Sequence, residues 1–500
     1  MMRCQQAPFG ASPPGGESGI RRRLVAAGIP LLCAALSSCA LVPDVGPPPQ
    51  PTPASELASE RSFTAPKADW SSDHWWSEFG DTQLDSLMAE ALAHSPSMAQ
   101  AEARVREAMA RAQIARSALL PTVGAGASVT KQKLSYNYIF PQTAVPRGWN
   151  DMGEVTLDFS WELDFWGKNR DALRAATSDA KAMEADAAAA RLLLTTTLAG
   201  AYVQLQYLYE YREVAASTLR NRQESAQLIQ RRVTQGLNAR TEIEESSARV
   251  DAAKAALTEA NERIQLAQNG IAALLGRGPD RGLEITRPSM SARRRVGLPD
   301  SLNANLLGRN PEVVAARWRV ESAAKRVGVA RAEFYPNVNL MAFVGFQSLG
   351  LNNLFNSGSD VGSVGPAISL PIFEGGRLRA NYRGSRAEYD FAVASYNEAL
   401  TQALHETADA LRSLTALTDR SAATDSALNH SEESYRLAKA RYQGGIADYL
   451  TVLTTEDALL QARLADAAIH ARGYSLDVAL VKALGGGFES HSTFEAKVNP

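Results

Sequence analysis

Apolar and polar residues alternate strictly from Glu154 to Phe165. Alternation with a period of two predicts a β-strand with one apolar and one polar face. The polar positions carry four carboxylates. A soluble sandwich would bury the apolar face in its core, whereas a strand of about this length can also cross a bilayer between lipid and a wet lumen. The strand by itself leaves both interpretations open.

Long alanine-rich helices are predicted on both sides of this strand. Helical spacing covers 83–120 with a break at Pro96, and then 169–234 and 239–275 on either side of a turn. The second of these segments would extend about 100 Å as a helix. A single globular core does not need a helix of that length, so we expect long helices packed against one another.

The second half of the chain resembles the first, which predicts an internal repeat. The segment 112–121 is similar to 327–336, and Gly236 corresponds to Gly445. Each half contains a helix, two strands and two long helices. The four predicted strands are 122–129, 154–165, 337–346 and about 364–373.

Two pairs of strands are too few to close a barrel. An open sheet edge cannot persist in lipid, because its backbone groups would be unpaired. If these strands lie in a membrane, several chains must therefore share one barrel, and three chains would supply twelve strands.

The N-terminal region predicts export and a lipid anchor. Three arginines at 21–23 precede a short apolar stretch at 24–36, as in a secretory signal peptide. The sequence Leu36-Ser37-Ser38-Cys39 resembles the lipobox of bacterial lipoproteins, in which the cysteine becomes the acylated N-terminus. The alternative is an ordinary signal peptide with an incidental cysteine. A covalent lipid on Cys39 is the one modification expected, and no cofactor is predicted.

Bulk composition argues against several classes of function. The formal net charge of −2 gives no electrostatic case for binding nucleic acid. No apolar run is long enough for a membrane-spanning helix. The six histidines are scattered, and no phosphate-binding or dinucleotide loop is present. We therefore expect neither an enzyme nor a metal site.

Four stretches are distinctive in combination. They are the sequence ending in Cys39, the Trp75-Trp76 opening with Phe79 and Asp81, the segment 306–340, and Tyr442-Gln443-Gly444-Gly445 with the following 448–453. On these stretches the chain resembles the TolC-type outer-membrane efflux family, in its lipoprotein branch. The resemblance covers nearly all of the mature chain.

This resemblance implies a mainly α fold with a β-barrel part. A homotrimer would complete a shared barrel in the outer membrane from four strands per chain, and a long α-helical barrel would cross the periplasm. The implied partners are a periplasmic adaptor (a membrane fusion protein), an inner-membrane efflux pump and outer-membrane lipid. The exported substrate and the class of pump, resistance-nodulation-division or major facilitator, stay open. The alternative is a structural helical-bundle lipoprotein of the periplasm without a pore.

The resemblance also implies where a periplasmic aperture would lie. In the lipoprotein branch, residues that follow the Tyr442-type turn line this aperture. The corresponding residues of this chain are Asp448, Leu450, Thr454 and Asp457. An Asp and an Arg that commonly pair there are replaced by Thr454 and Asp457, so that pair is missing from this chain.

Further acids near the two long-helix turns suggest acidic rings around the aperture. They are Glu456 in the second half, and Glu242, Glu244 and Glu245 in the corresponding part of the first half. Like charges at close quarters would favour cation binding. The alternative is a solvated helix face.

Aromatic residues cluster at the end of the second strand. Phe159, Trp161, Phe165 and Trp166 are interpreted as membrane-strand aromatics, with the tryptophans in an interfacial girdle. Packing in a core is the alternative.

The predicted organisation follows from these assignments. It is a signal peptide at 1–38, a lipidated tether at 39–82, a first repeat at 83–276, a linker at 277–300, a second repeat at 301–485 and a disordered tail at 486–500.

Overall fold

A computed structural model describes residues 42–490, except 60, 64, 138–140, 238, 292–296 and 299–307. The helices are α1 (Thr82–His94), α2 (Pro96–Ser117), α3 (Lys168–Thr234), α4 (Arg240–Leu274), a short α5 (Asp280–Leu283), α6 (Pro311–Ala332), α7 (Arg377–Gln443) and α8 (Tyr449–Ala483). The strands are β1 (Thr122–Gln132), β2 (Asn150–Glu162), β3 (Asn337–Leu349) and β4 (Asp360–Ser369). The predicted order of helices and strands is confirmed.

The two halves contain elements of equal length. Both α3 and α7 have 67 residues, and both α4 and α8 have 35. The 67-residue helices α3 and α7 are followed by the same kind of turn, with a glycine at positive φ. This glycine is Gly236 (73°) after α3 and Gly445 (74°) after α7. A residue with a β-carbon adopts this conformation at a cost, so glycine at these positions allows the tight reversal.

Helix ends have identifiable causes. The Asp81 carboxylate accepts hydrogen bonds from the Gln83 and Leu84 amides and caps the start of α1. The Asp448 Oδ1 accepts hydrogen bonds from the Thr451 N–H (2.9 Å) and hydroxyl (2.6 Å), and it caps α8.

The strands form one antiparallel sheet in the order β1-β2-β3-β4. In the register, Val155 of β2 lies opposite Ala127 of β1 and Phe346 of β3. Directly opposed residues point to the same face, so the register decides which side chains share a surface.

A core of aromatic and aliphatic side chains joins the segment before α1 to the long helices. Trp75, Trp76 and Phe79 form a buried 3₁₀ turn. The Phe79 ring meets the Tyr474 ring edge-on, with centroids 5.6 Å apart. The buried side chains of this core include Leu84, Leu87, Met88, Leu198, Tyr202, Leu205 and Ile271.

Two boundaries of the predicted organisation are wrong. The end of the tether predicted at 39–82 is part of this core, because its aromatic side chains bury against the helices. The predicted tail begins too early, since Arg309 pairs with Glu489 at 3.0 Å and the Ser490 N–H donates to the Gly308 carbonyl. The rest of the tail, 491–500, lies outside the described residues.

Chain contacts separate two compact units. One contains 114–173 and 325–387, and therefore all four strands. The other contains the described residues of 48–113, 174–324 and 388–490. Each half of the sequence contributes to both units, so the predicted repeats are not themselves compact domains. Among the described helices, none combines the length and the apolar character needed to cross a membrane.

Candidate functional site

One face of the sheet is apolar along most of all four strands, with Lys131, Asp151 and Asp360 at one end of it. It carries Val123, Ala125, Ala127 and Val129 of β1, Val155, Leu157, Phe159 and Trp161 of β2, Leu340, Ala342, Val344 and Phe346 of β3, and Val364, Pro366 and Ile368 of β4. Many of these side chains are exposed, including Val123, Val364 and Ile368 at 70% or more. A surface this apolar and this exposed needs a covering phase or partner.

The opposite face is mostly small and polar. Its charged strand positions are Glu154, Asp158 and Glu162 of β2. The Thr156 hydroxyl donates to the Asp158 carboxylate at 3.1 Å. The apolar exceptions on this face are Met152 of β2, Met341, Phe343 and Leu349 of β3, and Val361 and Ala367 of β4. The sheet therefore has one mostly apolar surface and one mostly polar surface.

Both edge strands lack a partner within the described part of the chain. The sheet ends at β1 on one side and at β4 on the other. Each edge presents a row of backbone donors and acceptors ready to pair with another strand.

The predicted aromatic group divides in two. Phe159 and Trp161 lie in β2 on its apolar face, and the Trp161 Nε1–H donates to the Leu119 carbonyl at 3.1 Å. Phe165 and Trp166 lie beyond the strand, which ends at Glu162, so their assignment as strand residues is wrong. The chain turns there because the Asp164 carboxylate accepts hydrogen bonds from the Asn169 and Arg170 amides at the start of α3.

Trp166 is nevertheless fixed in place. Its ring stacks on that of Tyr335 with centroids 4.8 Å apart, and its Nε1–H donates to the Pro336 carbonyl at 2.8 Å. Half of its surface is exposed. An exposed, oriented indole of this kind suits a membrane–water boundary.

The predicted aperture residues lie at the start of α8, directly after the turn that follows α7. Asp448, Leu450, Thr454 and Asp457 are all exposed, and Leu450 is 65% exposed. Buried aromatic and aliphatic side chains hold the turn from beneath, among them Ile229, Tyr442, Tyr449 and Val452. The Arg232 guanidinium lies 4.8 Å above the Tyr442 ring, which ties the end of α3 to this turn.

Asp457 connects three helices through two arginines. Its Oδ1 accepts a hydrogen bond from Arg222 of α3 at 3.3 Å, and its Oδ2 lies 3.7 Å from Arg249 of α4. The sequence identified Asp457 but missed both arginines. The spacing of Glu245 and Arg249, which pair at 3.4 Å, could have indicated Arg249. Nothing in the sequence spacing connects Arg222 to Asp457, because they lie 235 positions apart.

Glu456 does not belong to an exposed ring. It is 6% exposed, because it shares the buried face of α8 with Val452, Leu453 and Leu459. Its Oε2 lies 3.8 Å from Arg222, and its Oε1 is buried without a hydrogen bond from the described residues. Burial raises the pKa of this carboxyl, and the Arg222 guanidinium opposes that shift.

The first-half acids differ in exposure. Glu244 and Glu245 of α4 are exposed, whereas Glu242 is half-buried.

The lipidation site predicted at Cys39 and the signal peptide lie outside the described residues.

The chain matches a family model described as outer membrane efflux protein over residues 87–277 and 302–486. It is 36% identical to the fusaric acid resistance protein FusA of Burkholderia cepacia over 70% of this chain and 67% of that protein. It is 31% identical to the pyoverdine export outer membrane protein OpmQ of Pseudomonas aeruginosa over 91% of this chain and 96% of that one.

A solved structure supports the same fold. The outer membrane protein VceC from Vibrio cholerae superposes with a TM-score of 0.80 at 43% identity, covering 84% of this chain and all of that chain. The likeness therefore covers most of this chain.

Proposed function

The chain belongs to the outer membrane efflux protein family and is an outer-membrane channel of an efflux system. We propose that it works as a passive homotrimeric duct. The family consists of transport proteins rather than enzymes. The channel assignment replaces the alternative of a periplasmic scaffold without a pore.

The two faces and the two edges of the sheet are the observation that supports this proposal. Its apolar face suits lipid, its opposite face suits water, and its two free edges lie on different strands. In lipid, β4 of one chain must pair with β1 of the next, because unpaired backbone groups there cost several kcal/mol each. Three copies close a barrel of twelve strands without leaving an edge.

The equal lengths of the corresponding long helices support an internal duplication. In the trimer, six repeats would then surround one axis, and the long helices would form the periplasmic barrel.

Substrate would reach this duct from an inner-membrane pump through a periplasmic adaptor, with the pump supplying the energy. Relatives named for fusaric acid resistance, pyoverdine export and multidrug resistance support small organic molecules, drugs among them, as cargo. A lipid on Cys39 would add an anchor in the outer membrane, since an acyl chain binds a leaflet without spanning it.

The aperture is closed, in this proposal, by the Asp457 links. Arg222 and Arg249 hold α8 against α3 and α4, in place of the missing pair at Thr454 and Asp457. Leu450 narrows the opening with an apolar side chain.

The acidic charge around the aperture is supplied, in this proposal, by Asp448, Glu242, Glu244 and Glu245. Glu456 is removed from that set because it is buried.

Planar-bilayer conductance of the purified protein tests this function. Wild type should give small currents, and the double variant Arg222→Gln, Arg249→Gln should give larger ones. Arg436→Gln is the matched control, because Arg436 pairs with Glu433 on the surface of a single helix. The proposal fails if all three proteins are silent although their incorporation is confirmed.

The acidic charge is tested separately with Asp448→Asn. Asparagine keeps the N-cap of α8 but removes the charge, so folding should be preserved. We expect reduced cation selectivity in reversal-potential measurements. Unchanged selectivity would contradict the acidic ring while leaving the duct intact.

A further inference from the structure

Three side chains with metal-binding atoms converge between α7 and α8. Asp466 and His470 are four residues apart on α8, so they lie one turn apart on one face. The His470 Nε2 is 3.6 Å from the Asp466 Oδ1. Asp425 of α7 completes the group, and the ligand atoms of all three lie within 4.8 Å of one another.

The charges of this group are poorly balanced. In the described part of the chain, neither Asp425 nor Asp466 has a Lys or Arg within ion-pair distance.

Glu210 of α3 lies close enough to Asp466 and His470 to interact with them electrostatically. The Asp425 and Asp466 carboxylates, from two helices, lie beside one imidazole, and a cation would relieve the repulsion between them.

We propose that Asp425, Asp466 and His470 form a binding site for a divalent transition-metal ion such as Zn²⁺. An imidazole nitrogen with two carboxylate oxygens is a ligand set that Zn²⁺ accepts, whereas Ca²⁺ and Mg²⁺ prefer oxygen ligands alone. Tetrahedral bonds of about 2.0–2.1 Å place ligand atoms about 3.4 Å apart, so small side-chain rotations bring the three atoms into position. The bound ion would cross-link α7 to α8. This site is independent of the channel function.

Calorimetric titration of the full-length, detergent-solubilised protein with ZnCl₂ tests the site, using protein without a polyhistidine tag. We expect one Zn²⁺ per chain, with an affinity that falls at least about tenfold in both His470→Gln and Asp425→Asn. Both residues are exposed, so the variants should fold. His405→Gln removes an exposed histidine of α7 that is not part of the group, and this variant should bind Zn²⁺ as wild type does.

A second measurement reports the cross-link itself. Zn²⁺ should raise the midpoint of thermal unfolding of wild type and of His405→Gln, and it should leave the two site variants unchanged. Absence of binding to wild type, or equal affinity in all four proteins, overturns the proposal.

Discussion

Asp81 shows how much of this structure can depend on one carboxylate. It is 2% exposed and caps α1 through one oxygen. Its other oxygen accepts hydrogen bonds from the Tyr202 hydroxyl (2.8 Å) and the Ser289 amide (2.6 Å). The residue therefore joins α1, α3 and the segment that follows α5.

Asp81→Ala should destabilise the protein by about 3 kcal/mol, because it removes a helix cap and leaves buried donors unsatisfied. Thermal unfolding followed by circular dichroism measures the effect. The exposed Asp73→Ala is the control and should change stability by less than about 0.5 kcal/mol. Equal effects of the two substitutions would contradict the assigned role of Asp81.

Glu456 gives a prediction about pH. A carboxyl whose pKa is raised in the folded state contributes stability below its unfolded pKa, and that contribution is lost as the pH rises through the folded value. Glu456→Gln cannot ionise. Its unfolding midpoint, relative to wild type, should therefore be higher at about pH 8 than at about pH 5. Glu398→Gln, at an exposed position of α7, should show no such trend.

At the scale of elements, the sheet depends on close packing of β2 against β3. A β-carbon added to Gly345 would meet the Val155 carbonyl oxygen at 2.1 Å and the Thr156 Cα at 2.8 Å. Gly365 of β4 has open space in the same position. The two glycines thus differ in what their strands tolerate, although both lie in the same sheet.

Gly345→Ala should therefore disturb the pairing of β2 with β3, whereas Gly365→Ala should not. We expect fewer heat-sensitive, detergent-resistant oligomers of the first variant on unheated gels of the outer-membrane fraction. An oligomer yield of Gly345→Ala equal to that of wild type would show that the pairing of β2 with β3 tolerates a β-carbon at this position.

At the scale of the whole molecule, the orientation of the sheet decides which face meets lipid. Leu157 lies on the apolar face and is 53% exposed, and Ser160 lies on the polar face of the same strand. The strand alternation makes these two positions a matched pair for testing the barrel.

Leu157→Arg should cost about 2–4 kcal/mol if the residue faces the centre of the bilayer, and Ser160→Arg should cost much less in a wet lumen. The amount of each variant assembled in the outer membrane measures this difference. The reverse order would place lipid on the other face.

Local sequence patterns were sufficient to predict the order of the helices and strands and the two faces of β2. Periodicity depends on the spacing of neighbouring residues, and the glycines at 236 and 445 mark turns by their local conformation. The sequence also carried the resemblance to the efflux family. The end of β2 was predicted three residues too late, because Asp164 continues the alternation but caps a helix instead.

Contacts between residues far apart in the chain became visible only in the folded protein. The register of four strands placed their apolar residues on one face, and weak alternation in β3 could not have shown this. Helix packing buried Glu456 and brought Arg222 to Asp457. It also gathered Asp425 beside Asp466 and His470, although the histidines are scattered in sequence. Such contacts follow from the packing of helices far apart in the chain, and no local pattern encodes them.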